Sequence, residues 1–285
     1  MSRLNNSSEL QRRAIIVADD FGRSSSINRA VIEAHRKGVL SCASLMVGGA
    51  AWEEAAELAR ENPELGVGLH VTLACGFSAL PPGVISNLAD RDGKLDSSPV
   101  RAGLRAFFDR EVRADLEREI EAQFARFRGT GLSLDHVNGH LNMHLHPSVL
   151  TAVLTRAAAL GCRYVRLTRD PLFENLRLAS GRLPYRLSHA AVFGCLSCLA
   201  RGDLEAGGFR HADRVFGLLQ SGDMNTGFVG SLLRELPTGI SEIYFHPDLK
   251  DGRGNADYQA LVSDEVRQAL AAGSIRRIRC GEMQV

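Results

Sequence analysis

The chain has almost no excess charge. Lys and Arg number 34 against 33 Asp and Glu in 285 residues, a formal net charge of +1. It therefore carries no overall electrostatic footprint for nucleic acid, and a polyanionic substrate is not expected. Long apolar runs are also missing. Nothing approaches the roughly 18 residues that a membrane span requires, and Met1 to Arg13 is polar, without the apolar core of a signal peptide. A cytoplasmic protein is expected. Cysteine is sparse and scattered, at Cys42, Cys75, Cys162, Cys195, Cys198 and Cys280. In a cytosolic chain of this size, that pattern reads as buried thiols. Cys195 and Cys198 have redox or zinc spacing, but they lie in the helical-looking run Ala190 to Ala200 with no second pair, so the signal is weak. No glycine-rich turn follows the first apolar run, which argues against a nucleotide fold. No repeat and no linker divides residues 1–285, which read as a single domain.

What is present is alternation. Ala14 to Ala18 is a continuous apolar run, as in a strand buried on both faces, and it ends in Asp19-Asp20-Phe21-Gly22. Ser24 to Ser26 offer helix caps before Ile27, Val31 and Ala34, and Gly38 is the stop. Cys42 to Val47 is a second strand, Trp52 to Arg60 a helix ending before Pro63, and Gly66 to Leu73 a third strand that contains His70. From Ala74 to Pro99 periodicity fails, and a long loop overhanging a site is expected. Glu111 to Arg128 is an amphipathic helix, Leu132 to Val137 a fourth strand, Pro147 to Leu160 a helix and Tyr164 to Leu167 a fifth short strand. Phe173 to Gly208 breaks the pattern as a helical insertion, whose apolar section Leu183 to Leu199 suits a lid, a partner or lipid surface, or a core helix. Arg214 to Leu218 and Ile240 to Phe245 are further strands, with helices at Thr226 to Leu236 and Asp257 to Ala272, before Ile275 to Arg279. Seven or eight strands, most followed by a helix, predict a distorted (β/α) TIM-like barrel, with an open doubly wound sheet as the alternative.

Four histidines lie between His136 and His146, more than packing requires. In a barrel, strand ends converge on one mouth, and here they carry Asp19, Asp20, His70, His140 and His246. One carboxylate and two imidazoles leave a divalent metal an open position for water, so Asp20, His70 and His140 are the ligand candidates. Asp19 is placed as general base and His246 as general acid. An extended cluster would align His140, Asn142, His144 and His146; a helical one would pair His140 with His144. Asn142 and His144, with Asn138 and Arg166, are candidates for substrate contact or for supporting the ligands. His146 suits a backbone bond at the helix start, and His136 reads as a core histidine. Mixed nitrogen and oxygen ligation does not choose between zinc, magnesium and other divalent ions.

Ala18-Asp19-Asp20-Phe21-Gly22, Gly68-Leu69-His70, the cluster ending at Pro147 and Phe245-His246-Pro247 together resemble the YdjC-like carbohydrate deacetylases over nearly the whole chain. The resemblance implies a barrel-like fold, removal of acetyl groups from N-acetylated sugars, Asp19 as base, Asp20, His70 and His140 as ligands, and His246 as acid. Ser44-Leu45-Met46-Val47, His144-Leu145-His146-Pro147, Val215-Phe216-Gly217 with Ser221-Gly222, and Glu242 to Pro247 are similar to the hopanoid-associated HpnK branch. That likeness implies an N-acetylglucosaminyl hopanoid substrate, a lipid-facing role for Leu183 to Leu199 and peripheral contact with the inner membrane. Asn138 departs from the family's Asp, and Asp248 from its glycine. A chitooligosaccharide substrate is the alternative. A non-haem-iron redox or lyase enzyme and a non-catalytic glycolipid binder are the alternatives of other classes. A homo-oligomer is left open.

Overall fold

A computed structural model describes residues 11–250 and 252–283; most of the polar leader lies outside them. The strands are β1 (Arg12–Phe21), β2 (Cys42–Leu45), β3 (Gly66–Val71), β4 (Val137–Gly139), β5 (Arg214–Phe216), β6 (Gly239–Phe245) and β7 (Arg276–Arg277). They form one parallel sheet in the order β4-β3-β2-β1-β6-β5, with β7 paired to the start of β1. The sheet is a parallel, curled half-barrel, consistent with a distorted (β/α) barrel. Its helices are α1 (Ser25–Lys37), α2 (Trp52–Arg60), α3 (Pro99–Phe108), α4 (Arg110–Gly129), α5 (Pro147–Ala159), α6 (Leu172–Leu178), α7 (Leu183–Ala206), α8 (Thr226–Arg234), α9 (Arg253–Val262) and α10 (Asp264–Ala272).

Period two sorts the strand residues between two environments. Ala14, Ile16 and Ala18 join the large core between sheet and helices, whereas Ile15 and Val17 join a smaller cluster with Cys42, Tyr164, Val215 and Tyr244. This smaller cluster fills the inside of the barrel. Inner positions nearer the mouth are polar, among them Asp19, Ser44, His70, Asn138 and Arg166, and Glu242 adds a buried carboxylate at the level of Ile15. Gly68 makes room for this filling, because a Cβ there would come within 2.4 Å of the His136 ring.

Several expected elements differ. The fourth strand is only Val137–Gly139, and Tyr164 to Leu167 forms isolated bridges, Val137 to Val165 and Tyr164 to Arg210, instead of a strand. The last predicted helix is two, α9 and α10, divided at Ser263, whose hydroxyl accepts from the Glu265 amide. The long loop contains a short turn of 3-10 helix at Pro82–Val84 and is anchored to α4, where Glu119 accepts from the amides of Ala79 and Leu80. Only Cys42, Cys162 and Cys280 are buried; Cys195 and Cys198 are exposed on α7 and Cys75 is half-buried, so the expectation of six buried thiols holds for three. α7 buries just Arg186, Ser197, Ala200 and Leu204, which makes it a surface helix and not a core one.

Candidate metal centre

β1 continues through the acidic pair, but its register against β2 shifts between Ala18 and Phe21, and Asp20 has φ +64°. In a regular strand, Asp19 and Asp20 would face opposite sides. The left-handed residue, a conformation Asp tolerates better than most, lets both carboxylates serve one mouth. Asp20 Oδ1 lies 3.0 Å from His140 Nδ1 and 3.4 Å from His70 Nε2. All three atoms are buried and none has a hydrogen-bond partner. They lie within 4.8 Å of one another.

The surroundings fix what those atoms present. His70 Nδ1 is 2.7 Å from Asn138 Oδ1, so Nδ1 carries the proton and Nε2 turns its lone pair toward Asp20. The second oxygen of Asp20 accepts from Arg23 at 2.8 Å. Burial alone disfavours an imidazolium at His70, but Asp19 and Asp20 outweigh it and raise its pKa. Burial likewise opposes ionisation of Asp20, yet His140 and His70 hold its carboxyl well below the usual range. Unpaired lone pairs aimed at one point, beside a carboxylate kept charged, suit a divalent cation with three protein ligands. The residues fit the group.

Asp19 is held differently. Its Oδ2 accepts from Arg166 Nη1 at 2.6 Å, and its Oδ1 accepts from Arg166 Nη2 at 3.0 Å, Ser44 Oγ at 2.9 Å and Asn138 Nδ2 at 3.1 Å. Burial would push its pKa up, but Arg166 and His70 overcome this and keep it ionised. Arg166, 1% exposed, also gives Nε to Glu242 at 2.5 Å and lies 4.3 Å from the Tyr244 ring centre. Glu242 accepts from the Tyr164 hydroxyl at 2.6 Å. The His246 backbone amide donates to Asp257 at 2.9 Å, its ring meets Tyr244 edge-on, and it is near enough to help lower the pKa of both Asp19 and Asp20.

The histidine cluster is neither extended nor α-helical. It forms 3-10 turns interrupted by left-handed Leu141 and Asn142, and it brings His140 alone to Asp20. His144 turns inward and donates Nε2–H to the Arg166 carbonyl at 2.8 Å; Asn142 accepts from Thr168 at 2.7 Å. His146 caps α5 by accepting from the Ser148 amide. Of the residues expected to contact substrate or support the ligands, Asn138 and Arg166 bond directly to site residues, His144 supports the Arg166 backbone, and Asn142 lies one step further out. Ser44, Glu242, Tyr164 and Asp257 escaped the sequence reading. Ser44 had a signal, being an isolated polar residue in an apolar strand.

Residues 13–272 match the YdjC-like protein family. The chain belongs to the YdjC-like family. A carbohydrate deacetylase of Brevibacillus brevis is 39% identical over 145 residues, covering 51% of this chain and 55% of that protein. A chitooligosaccharide deacetylase of Serratia marcescens is 34% identical over 162 residues, covering 56% of this chain and 61% of that protein. The chain thus spans about three-fifths of the length of these relatives. A solved structure from Enterococcus faecalis V583, described as a candidate cellobiose-phosphate cleavage protein, superposes with TM-score 0.72 at 22% identity, covering 96% of this chain and 99% of that one. That likeness establishes the shared fold.

Proposed function

We propose that the protein is a single-domain, metal-dependent carbohydrate N-deacetylase. The observation that carries this reading is the convergence of the partnerless Asp20, His70 and His140 atoms beside the separately held Asp19. Asp20, His70 and His140 would hold a divalent ion, which when bound would supply Lewis acidity toward water and an acetamide carbonyl. Asp19 takes the proton of the attacking water. Its Oδ1 already accepts three hydrogen bonds, whereas Oδ2 accepts only from Arg166, so Oδ2 has the spare acceptor capacity. Arg166 fixes the carboxylate plane, and Ser44 and Asn138 fix its rotation. His246, half-buried at the end of β6, gives a proton to the departing amine. The products are acetate and a free amino sugar.

For the substrate, an N-acetylglucosaminyl hopanoid is favoured over a chitooligosaccharide. Support comes from the outward face of α6 and α7, where Phe173, Leu183, Leu187, Val192 and Leu199 are exposed in a segment that suits a lipid-like aglycone at a membrane surface. No helix among the described residues is long and apolar enough to cross a membrane. The names of the relatives favour the chitooligosaccharide reading, so the two are compared directly. Equal amounts of acetate and free amine should form faster from the glycolipid than from chitooligosaccharides. The reverse order would overturn the lipid assignment, and acetate from neither would overturn the deacetylase.

A further inference from the structure

Another group of potential ligands lies at the opposite end of the barrel. Cys42 opens β2, Asp135 and His136 precede β4, and Cys280 follows β7, which pairs with the start of β1. One sulfur, nitrogen or oxygen atom of each lies within 4.8 Å of the others. Nothing in the proposed deacetylation uses them. We infer that Cys42, Asp135, His136 and Cys280 form a second metal site, for zinc or an ion of similar softness, at the floor of the barrel.

A chain of hydrogen bonds fixes the histidine for this role. Ser44 has one hydroxyl proton, and it goes to the ionised Asp19 at 2.9 Å. Ser44 Oγ must then accept from Asn138 Nδ2 at 2.9 Å and from His136 Nε2 at 3.0 Å. His136 therefore carries a proton on Nε2 and points Nδ1 at Asp135 Oδ1, 2.9 Å away. A bare nitrogen facing a carboxylate oxygen repels it, so that gap takes a proton or a cation. An outer partner that fixes the tautomer is the usual arrangement around a metal-binding histidine. Asp135 is itself oriented, since its other oxygen accepts from the Gly281 amide at 2.8 Å.

The two sulfurs decide which cation. Cys42 Sγ is 3.6 Å from the same Asp135 oxygen, and Cys42 and Cys280 are both fully buried. Two thiolates, an imidazole and a carboxylate make a four-ligand set that suits zinc and not the hard ions magnesium or calcium. An ion has a route in. A cleft of about 690 Å³, lined in part by Leu132, Asp135, Arg279 and Gly281, reaches the Asp135 side chain, which is 12% exposed. Loading releases the thiol proton of each cysteine and the proton held between His136 and Asp135. The bound ion would tie the segment after β7 to β2 and β4.

Cobalt separates the two sites, because the ligands of the candidate metal centre include no sulfur. The full chain, stripped of metal and titrated with cobalt, should take two equivalents, one of which brings the near-ultraviolet thiolate-to-cobalt charge-transfer band. Cys280→Ser should lose that band and one equivalent. His140→Ala should keep the band and lose the other equivalent, and a Cys195→Ser/Cys198→Ser double variant should keep both. Should Cys280→Ser not fold, zinc absorption spectroscopy on the His140→Ala protein gives the same answer, with sulfur neighbours expected at about 2.3 Å. The inference is overturned if wild type shows no thiolate band, if the band disappears in the Cys195/Cys198 variant, if zinc in the His140→Ala protein has no sulfur neighbours, or if intact mass reveals Cys42 and Cys280 joined as a disulfide.

Discussion

Arg166 grips both oxygens of Asp19, Nη1 to Oδ2 at 2.6 Å and Nη2 to Oδ1 at 3.0 Å, and does so inside the barrel where neither residue meets solvent. The same guanidinium is bonded to Glu242. One cation therefore balances two buried carboxylates, and removing it strands both. Breaking a buried pair from one side costs about 3–5 kcal/mol. Arg166→Met should lower unfolding stability by at least that order in urea titration, whereas Arg166→Lys, which keeps the charge but lacks the planar fork that spans Asp19 and Glu242, should fall between. A Met variant as stable as wild type would mean that the ion pair carries no weight.

Asp19→Asn removes the charge while nearly preserving shape. Metal content should be unchanged, because Asp19 is not among the three converging groups proposed to hold the ion. The rate of acetate release should fall by about 10²- to 10⁴-fold, the usual worth of a positioned general base. Metal analysis and turnover on the same sample check both parts. Retained activity would remove Asp19 from the proton transfer.

Asn138 supports both halves of the site, accepting from His70 and donating to Asp19 and Ser44. Asn138→Ala frees the His70 ring from its fixed tautomer. Metal affinity should drop by about 10- to 100-fold, the range found for losing a group that orients a ligand. Competition against a chelator measures this. Unchanged affinity would show that the tautomer is set elsewhere.

His144 gives the pH dependence of stability a definite sign. Burial pushes its pKa from 6.5 down to about 3, so the folded protein keeps it neutral, with Nε2–H on the Arg166 carbonyl. The unfolded chain binds a proton near the ordinary value and the folded one does not. Its contribution is complete above the unfolded pKa and is lost as pH falls from 6.5 toward about 3. The slope approaches about 1.4 kcal/mol per pH unit for one proton. His144→Gln retains a donor but not the titration. Urea midpoints measured between about pH 7 and about pH 4 should therefore fall less steeply for the variant. Parallel slopes would contradict the assignment.

Much of this site was legible in the sequence because a parallel α/β fold delivers strand ends to one mouth. Asp19, Asp20, His70 and His246 each end or follow an apolar run, so their meeting follows from topology. The remainder depended on features that local pattern does not carry. Asp20 reaches the same point as its neighbour only through a left-handed residue and a register shift. Two more left-handed residues, Leu141 and Asn142, fold the histidine cluster back so that His144 serves the Arg166 backbone. Glu242 could have been found by extending period two inward from His246, since polar residues at inner barrel positions must have partners. The meeting of Cys42 with Cys280 could not, because it depends on where the short β7 pairs.

The proposed deacetylation needs a divalent ion held by Asp20, His70 and His140. The most direct test follows acetate release from an N-acetylated amino sugar glycolipid by wild-type and His140→Ala protein, with metal content determined on each sample before and after chelation. Wild-type activity should vanish on chelation and return with added divalent metal, while His140→Ala should neither hold the ion at that site nor release acetate. Full activity in metal-free protein, or in His140→Ala, would contradict it.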